Sequence, residues 1–427
     1  MNYIKRNDAV TGEVVYSGVH KSGVRIFVMP KKGFRKCMAM FATGYGSIDT
    51  TYIKDGKELP VPDGTAHFLE HKLFEEENGN VFDRFSMLGA NANAFTSFAT
   101  TAYYFTGTDH FYENLETLIS FVQTPYFTDE SVAKEQGIIG QEIKMYDDDP
   151  GWQVHYQGVE GLYHNHPVKI DIAGTVDTIA KIDAKTLYDI YSMYYHPSNM
   201  VLFIAGDVDV DKTFETAEAT LKDIPPLPHK IERKLPEEPD AVVKHKTEKQ
   251  LDVAVPLFQI TFKDNDTSLR GKALLKKEIL TDMLLELMFG KSSEIYEKLY
   301  TAGLINNSFS ADYSGHRDYA FACVGAEAKQ PYAAYDALME LLEHAAITEE
   351  DFTRVKKCVW GDYIDTLDST ESVVYSFALH QLIDVDMFDF KEVYDTITYE
   401  DLCERRNELL RKENSCLSVI MPKGGEK

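Results

Sequence analysis

His67-Phe68-Leu69-Glu70-His71 gathers two imidazoles and a carboxylate within five residues. Side chains four apart stack on one face of an α-helix. His67 and His71 can therefore offer two nitrogen ligands to a single zinc ion. Glu70 follows His67 by three residues and lies near the same face, where a carboxylate can take a proton from a zinc-bound water. Two histidines and a base form half of a metal-dependent peptide-hydrolysing site, in the order His-x-x-Glu-His rather than His-Glu-x-x-His. The competing reading is a surface helix with two idle histidines, since the chain has 13 His and 69 Asp and Glu. Local context favours the metal. Gly64 and Thr65 supply a helix start, and Leu69, Leu73 and Phe74 supply an apolar face beside the polar one.

A catalytic zinc takes three protein ligands and leaves one position for water. The stretch from Thr128 to Tyr146 has helical periodicity and carries Glu135 and Glu142. Seven residues are two turns, so both carboxylates point the same way, roughly 10 Å apart along the axis. A zinc–oxygen bond is only about 2 Å. One of the two can bind while the other acts at a distance, and spacing does not choose between them.

The elements that must position these groups read as α+β. Glu13 to Ser17 and Val24 to Met29 form a hairpin turning at Lys21-Ser22-Gly23, and Cys37 to Tyr45 is a further strand. The His67 helix comes next, then a short helix from Asn80 to Leu88. Ala90 to Ser97 and Thr101 to Gly107 are strands rich in aromatic and β-branched residues. Phe111 to Gln123 and Ala184 to Tyr195 are helical, and Met200 to Ala205 is a buried strand.

The proline- and charge-rich stretch opened by Pro225-Pro226-Leu227-Pro228 divides the chain into residues 1–225, a linker at 226–249, and residues 250–427. The two halves repeat one another. At an offset of 214, Phe82 meets Tyr296, Phe85 meets Leu299, Gly89 meets Gly303 and Phe95 meets Phe309. At an offset of 220, Thr128 meets Thr348, Glu130 meets Glu350, Val132 meets Phe352 and Glu142 meets Asp362. No histidine lies between Thr281 and Phe289, where the second His67 helix should fall.

Composition limits the remaining choices. A net charge of −25 repels phosphate, which argues against nucleic acid as a partner and favours cationic peptides. No apolar run is long enough to span a bilayer, and the amino-terminal residues lack a secretory h-region, so a cytoplasmic, non-membrane protein is expected. Cys37, Cys323, Cys358, Cys403 and Cys416 are scattered, without a CxxC pair, as in a reduced chain with buried thiols.

Together, His67-x-x-Glu70-His71, the Asn93-Ala94-Phe95-Thr96 strand and the Glu135-x6-Glu142 helix resemble the M16 inverzincin metallopeptidases, the family of pitrilysin, insulin-degrading enzyme and mitochondrial processing peptidase. The segment from His67 to Glu75 is similar to the bacterial YmfH-type branch. The resemblance implies two homologous sheet-plus-helix halves, LuxS/processing-peptidase-like, closed like a clam around peptides or unfolded polypeptides. It implies Zn2+ held by His67, His71 and Glu142, with Glu70 as general base and Glu135 as a second acidic group supporting the site. It also implies a substrate backbone paired to Asn93, Ala94 and Phe95 by β-strand addition. Manganese or cobalt can substitute at such mixed nitrogen and oxygen sites.

One departure stands out. Active relatives carry an Arg and a Tyr seven residues apart in the carboxy-terminal half, and these stabilise the oxyanion. The corresponding positions hold Tyr300 and Asn307, and the nearby Arg317 and Tyr319 are wrongly spaced. A homologous partner subunit, or a homodimer, is therefore expected to complete the site; the other outcome is a chain that works alone with a weaker oxyanion site. The alternative is a peptide-binding or maturation subunit with little protease activity of its own, of the kind linked by name to elongation factor P modification. Its zinc would be structural, closed by a fourth ligand such as His155, His164 or His166.

Overall fold

The computed structural model describes every residue except Ala9, Asp55, Asn78, Glu232 and 425–427. Glu232, within the expected linker, lies outside the described residues. In the first half, strands β1 (Tyr3–Asn7), β2 (Val14–Val19), β3 (Arg25–Pro30) and β4 (Cys37–Thr43) precede a hairpin of β5 (Thr51–Lys54) and β6 (Lys57–Pro60). Helix α1 (Thr65–Leu73), the two-residue strands β7 (Glu75–Glu76) and β8 (Gly79–Asn80), helix α2 (Val81–Met87), and strands β9 (Ala90–Thr96) and β10 (Thr101–Gly107) follow. Then come helices α3 (Phe111–Val122), α4 (Asp129–Asp148), α5 (Pro150–Leu162), α6 (Val176–Ile179) and α7 (Ala184–Tyr194), strand β11 (Met200–Gly206) and helix α8 (Val210–Thr220).

The second half contains β12 (Lys246–Leu251), β13 (Leu257–Lys263), α9 (Gly271–Phe289), α10 (Glu294–Thr301), β14 (Ser310–Gly315) and β15 (Ala320–Glu327). It ends with α11 (Pro331–His344), α12 (Glu349–Leu367), α13 (Thr370–Leu382), α14 (Phe390–Asp395), α15 (Tyr399–Leu409) and β16 (Ser415–Pro422). The chain is α+β, as its patterning indicates.

Two sheets organise it. One runs β1-β2-β3-β11-β4-β10-β9 and the other β12-β16-β13-β15-β14. The last five strands of the first sheet and the whole of the second match in order. They also match in pairing sense: β3/β11 and β12/β16 are parallel, and the other neighbours are antiparallel. The offset of 220 carries α4 onto α12 and α5 onto α13.

The compact units are discontinuous in sequence. One comprises Met1–Ile143, Asp171–Lys234 and Ile364–Phe388; the other comprises Lys144–Ile170, Leu235–Tyr363 and Asp389–Lys427. This differs from a division at 225 and 249, because the matched helices α5 and α13 have exchanged places. Helix α13 buries Val373, Val374, Phe377 and Ala378 and packs on β4 and β11 of the first unit. All seven residues of each of those strands are buried, as expected of strands covered on both faces. Helix α5 packs on β12, β13 and β16 of the second unit, burying Val154, Tyr156, Val159 and Leu162. A Cβ on Gly161 would meet Cys416 Sγ at 2.3 Å, so glycine lets this helix lie close to the sheet.

The proline-rich stretch is anchored at two places. In the first unit Arg233 forks onto Asp49, Nε to Oδ1 at 2.7 Å and a terminal nitrogen to Oδ2 at 2.9 Å, with both side chains buried. In the second unit the Glu238 carboxylate accepts the amides of His164, Asn165 and His166 and the Lys263 ammonium. Lys246 to Lys249, expected as linker, form the start of β12 because they pair with Leu417 to Ile420.

Candidate metal centre

Helix α1 starts where the backbone turns left-handed at Gly64, φ +90°. A Cβ there would meet the Ala173 carbonyl oxygen at 2.4 Å, so only glycine fits. Phe68, Leu69 and Leu73 on α1 are at most 1% exposed. Burying that face turns His67, Glu70 and His71 to the half-buried rim. Lys72, fully buried on the same helix, is neutralised by Glu75.

Helix α4 supplies both carboxylates and places them on different sides of the histidine pair. Glu142 Oε1 lies 3.6 Å from His67 Nε2, and its Oε2 lies 3.6 Å from His71 Nε2. Glu135, two turns earlier and buried, sits on the other side of the ring, with Oε1 2.9 Å from His71 Nδ1. A carboxylate only accepts, so His71 Nδ1 donates this bond and Nε2 keeps its lone pair toward Glu142.

The residues fit a zinc ion. Ligand atoms of His67, His71 and Glu142 all lie within 4.8 Å of one another, and among the described residues this is the cluster of metal-ligating side chains. Separations of 3.6 Å are too long for hydrogen bonds. They are close to the roughly 3.4 Å between ligand atoms bound at about 2.0–2.1 Å around a tetrahedral centre. Two imidazole nitrogens and one carboxylate oxygen are a common catalytic zinc donor set.

The electrostatics favour a neutral ligand at His67 and a proton at His71, which a bound cation must displace. Burial, and secondarily the neighbouring His71, push His67 down to about 4, against the pull of Glu142 and Glu135. His67 is therefore neutral at pH 7, with a lone pair to give. For His71, burial works downward, but the hydrogen bond and charge of Glu135, with Glu70 and Glu142, outweigh it and raise its pKa. Burial holds the Glu70 carboxyl above its ordinary range, partly offset by a hydrogen bond from Thr96. That bond, Oγ1 to Glu70 Oε2 at 2.6 Å, comes from the last residue of β9.

Asn93, Ala94 and Phe95 lie on β9, the open edge of the seven-stranded sheet. The Ala94 amide donates to Asn93 Oδ1 at 2.9 Å, a self-capped edge group. The Phe95 ring stacks on Tyr375 of α13 at 5.6 Å, so this strand offers backbone rather than the Phe95 side chain to a partner. Sequence reasoning quoted Thr96 only as part of a motif and passed over Tyr375. A hydroxyl one residue beyond the edge segment was the available signal for the first, and nothing local marked the second.

The other candidates stand elsewhere in the second unit. Tyr300 is 48% exposed and stacks on Tyr296, whose hydroxyl reaches Asn307 Oδ1 at 3.5 Å. Arg317 lies beside Asp318, and Tyr319 stacks on His316. His155 Nδ1 is 3.9 Å from Cys323 Sγ, and His166 Nδ1 accepts the Val168 amide. His164 gives its backbone amide to Glu238. None of these histidines belongs to the metal-ligating cluster. Among the described residues no helix is long and apolar enough to cross a membrane.

Comparison with known proteins agrees with this architecture. Residues 54–176 match the family model for insulinase (peptidase family M16), and residues 181–358 match the model for the peptidase M16 inactive domain. The uncharacterized zinc protease YmfH of Bacillus subtilis is 41% identical over 96% of this chain and 97% of its own. Zinc protease PqqE of Helicobacter pylori is 24% identical over 99% of this chain and 94% of its own. A crystal structure described as an M16-like peptidase from Alicyclobacillus acidocaldarius superposes with a TM-score of 0.90 at 34% identity, covering 99% of both chains. The paired five-strand sheets, the matches in both halves and the near full-length relatives make this chain a member of the M16 metallopeptidase family, in its YmfH-type branch.

Proposed function

We propose that the chain is a zinc-dependent endopeptidase acting on peptides or unfolded polypeptides, with His67, His71 and Glu142 holding the ion and Glu70 as general base. The observation that carries this reading is that the Glu142 carboxylate stands 3.6 Å from Nε2 of both His67 and His71, with ligand atoms of the three within 4.8 Å of one another and no fourth such ligand among the described residues. A structural zinc is closed by four protein ligands, whereas a catalytic one keeps a position open. When bound, zinc polarises the scissile carbonyl and lowers the pKa of a water. Glu70, its carboxyl raised by burial, takes a proton from the attacking water and passes it to the leaving amine. Glu135 fixes the His71 tautomer. Asn93, Ala94 and Phe95 pair the substrate backbone along the open edge of β9.

Oxyanion support from an Arg/Tyr pair comes from a homologous partner. The occupation of those positions by Tyr300 and Asn307 supports this, and losing such stabilisation costs about 10²–10³ in rate. The same departure favours a second reading, a binding or maturation subunit that cleaves little by itself. The test is hydrolysis of a quenched fluorogenic peptide library by the zinc-loaded chain, alone and with a homologous partner, beside Glu70→Gln. The expected result is hydrolysis that strengthens with the partner and falls by roughly 10²–10⁴ in the variant, which keeps its zinc. Full turnover by Glu70→Gln would overturn the mechanism. Silence of the zinc-loaded chain with every partner would favour the second reading.

A further inference from the structure

We propose that Thr96 is a positioning residue for the hydrolytic step, acting through Glu70; this rests on the peptidase reading above. Its hydroxyl donates to Glu70 Oε2 at 2.6 Å, the one hydrogen bond that the Glu70 carboxylate makes among the described residues. With Oε2 held, Oε1 is the oxygen turned to the reacting water, and the carboxylate cannot rotate away about its terminal bond without breaking the contact.

The scaffold around Thr96 explains why the hydroxyl stays in place. Side chains alternate between faces along a strand, so Ala90, Ala92, Ala94 and Thr96 share one face of β9. Helix α1 packs on this strand. Three methyl-sized residues let it come close, and Thr96, at the end of the row, meets Glu70. Behind Thr96 the chain turns tightly into β10. Ser97 N donates to the Thr100 carbonyl at 2.8 Å, Ser97 Oγ accepts the Thr100 amide at 3.1 Å, and Thr101 pairs with Thr96. On the opposite face the Phe95–Tyr375 stack fixes the same segment. The hydroxyl thus belongs to the hairpin whose open edge would receive the substrate. A peptide paired on β9 and the base that activates the water are then referenced to one rigid element, which sets the distance between scissile bond and Glu70.

The test uses the full-length zinc-loaded protein with Thr96→Val and Thr96→Ser. Valine keeps the shape and removes the donor; serine keeps the donor and removes the methyl. In peptide hydrolysis, Thr96→Val should lower kcat by about tenfold to a hundredfold, as expected when a reacting group is displaced by about 1 Å. KM and zinc content should stay near wild type, and Thr96→Ser should recover most of the loss. Crystal structures of both variants give a readout independent of turnover. Glu70 should leave its position in the valine protein and keep it in the serine protein. An unmoved Glu70 in Thr96→Val, or equal impairment of the two variants, would overturn the proposal. If the wild-type chain hydrolyses nothing either alone or with a homologous partner, the peptidase reading fails by itself, and the two crystal structures still decide whether Thr96 orients Glu70.

Discussion

Two sheets that share one five-strand order carry different side chains on the matching helix. An offset of 214 places Thr281, Leu284 and Leu285 of α9 where α1 has His67, Glu70 and His71. An offset of 220 places Val355 and Asp362 of α12 where α4 has Glu135 and Glu142. Four of the five ionisable groups at the candidate metal centre have no ionisable counterpart there, and Leu284, Leu285 and Val355 are buried. Thr281, also buried, accepts from Arg405 Nε at 2.8 Å. Arg405 and Lys277 both neutralise Asp264, to which Tyr313 donates at 2.8 Å. Desolvation works against this buried carboxylate, but the two cations overcome it and keep Asp264 below its ordinary range. The second unit thus shares the scaffold and carries a closed, paired cluster where the first has a half-buried one with metal-ligating side chains. What distinguishes the two is a handful of side chains on a helix pair, since the topology is common to both.

Placing a carboxylate in the second unit at the position that matches Glu70 is the most severe way to break that equivalence. Leu284 is fully buried, so Leu284→Glu strands a carboxylate without a partner. It should cost about 3–5 kcal/mol in unfolding free energy, read from the urea midpoint. A variant as stable as wild type would mean that α9 has an open polar slot like that of α1. A milder change sharpens the role of the first unit's extra polar group. Glu135→Gln should weaken zinc binding about 10- to 100-fold in competition with a chelator, because the acceptor that fixes the His71 tautomer is weakened. Unchanged affinity would reduce Glu135 to a packing residue.

The smallest effect concerns acid. Burial alone would raise the Glu238 carboxyl, but Lys263 and the amides of Asn165, His164 and His166 carry it from 4.5 down to about 2. A depressed carboxylate contributes stability that is fully present above about pH 4.5 and disappears as pH falls through about 2. The stability gap between wild type and Glu238→Gln should therefore be constant above pH 5 and shrink toward zero near pH 2 in urea titrations. A gap that ignores pH would show that the clamp works through shape alone.

Much of this was legible before any coordinates. Period-2 and period-3.6 patterning and short apolar runs located β2 and β3 as a hairpin, α1, β9, β10, α4 and β11 to within a few residues, because local composition carries the signal for each. The local spacing of His67, Glu70 and His71 is helical geometry and needs no tertiary knowledge. The choice between Glu135 and Glu142 was invisible, since both share a face of α4 and only the approach of α1 separates them. Helix α5 gave no distinct signal, and the match of α5 with α13 hid their exchange, because equivalent helices have interchangeable patterns. The start of β12 read as linker: Lys246-Thr247-Glu248-Lys249 is polar, and its pairing partner lies at the far end of the chain.

The exchanged helices also carry a cost in time. Helix α5 is complete at Leu162, but β16, one of the strands it covers, begins at Ser415. Roughly 250 residues of synthesis separate them, which at about 5–20 residues per second is on the order of 10–50 s. Throughout that interval Val154, Tyr156, Val159 and Leu162 have no finished surface to cover. The first sheet meanwhile waits for α13 to emerge before β4 and β11 are sealed on their second face. A nascent chain of this architecture presents two unfinished apolar faces for most of its synthesis, and holding them apart from other chains is a demand that neither finished unit reveals.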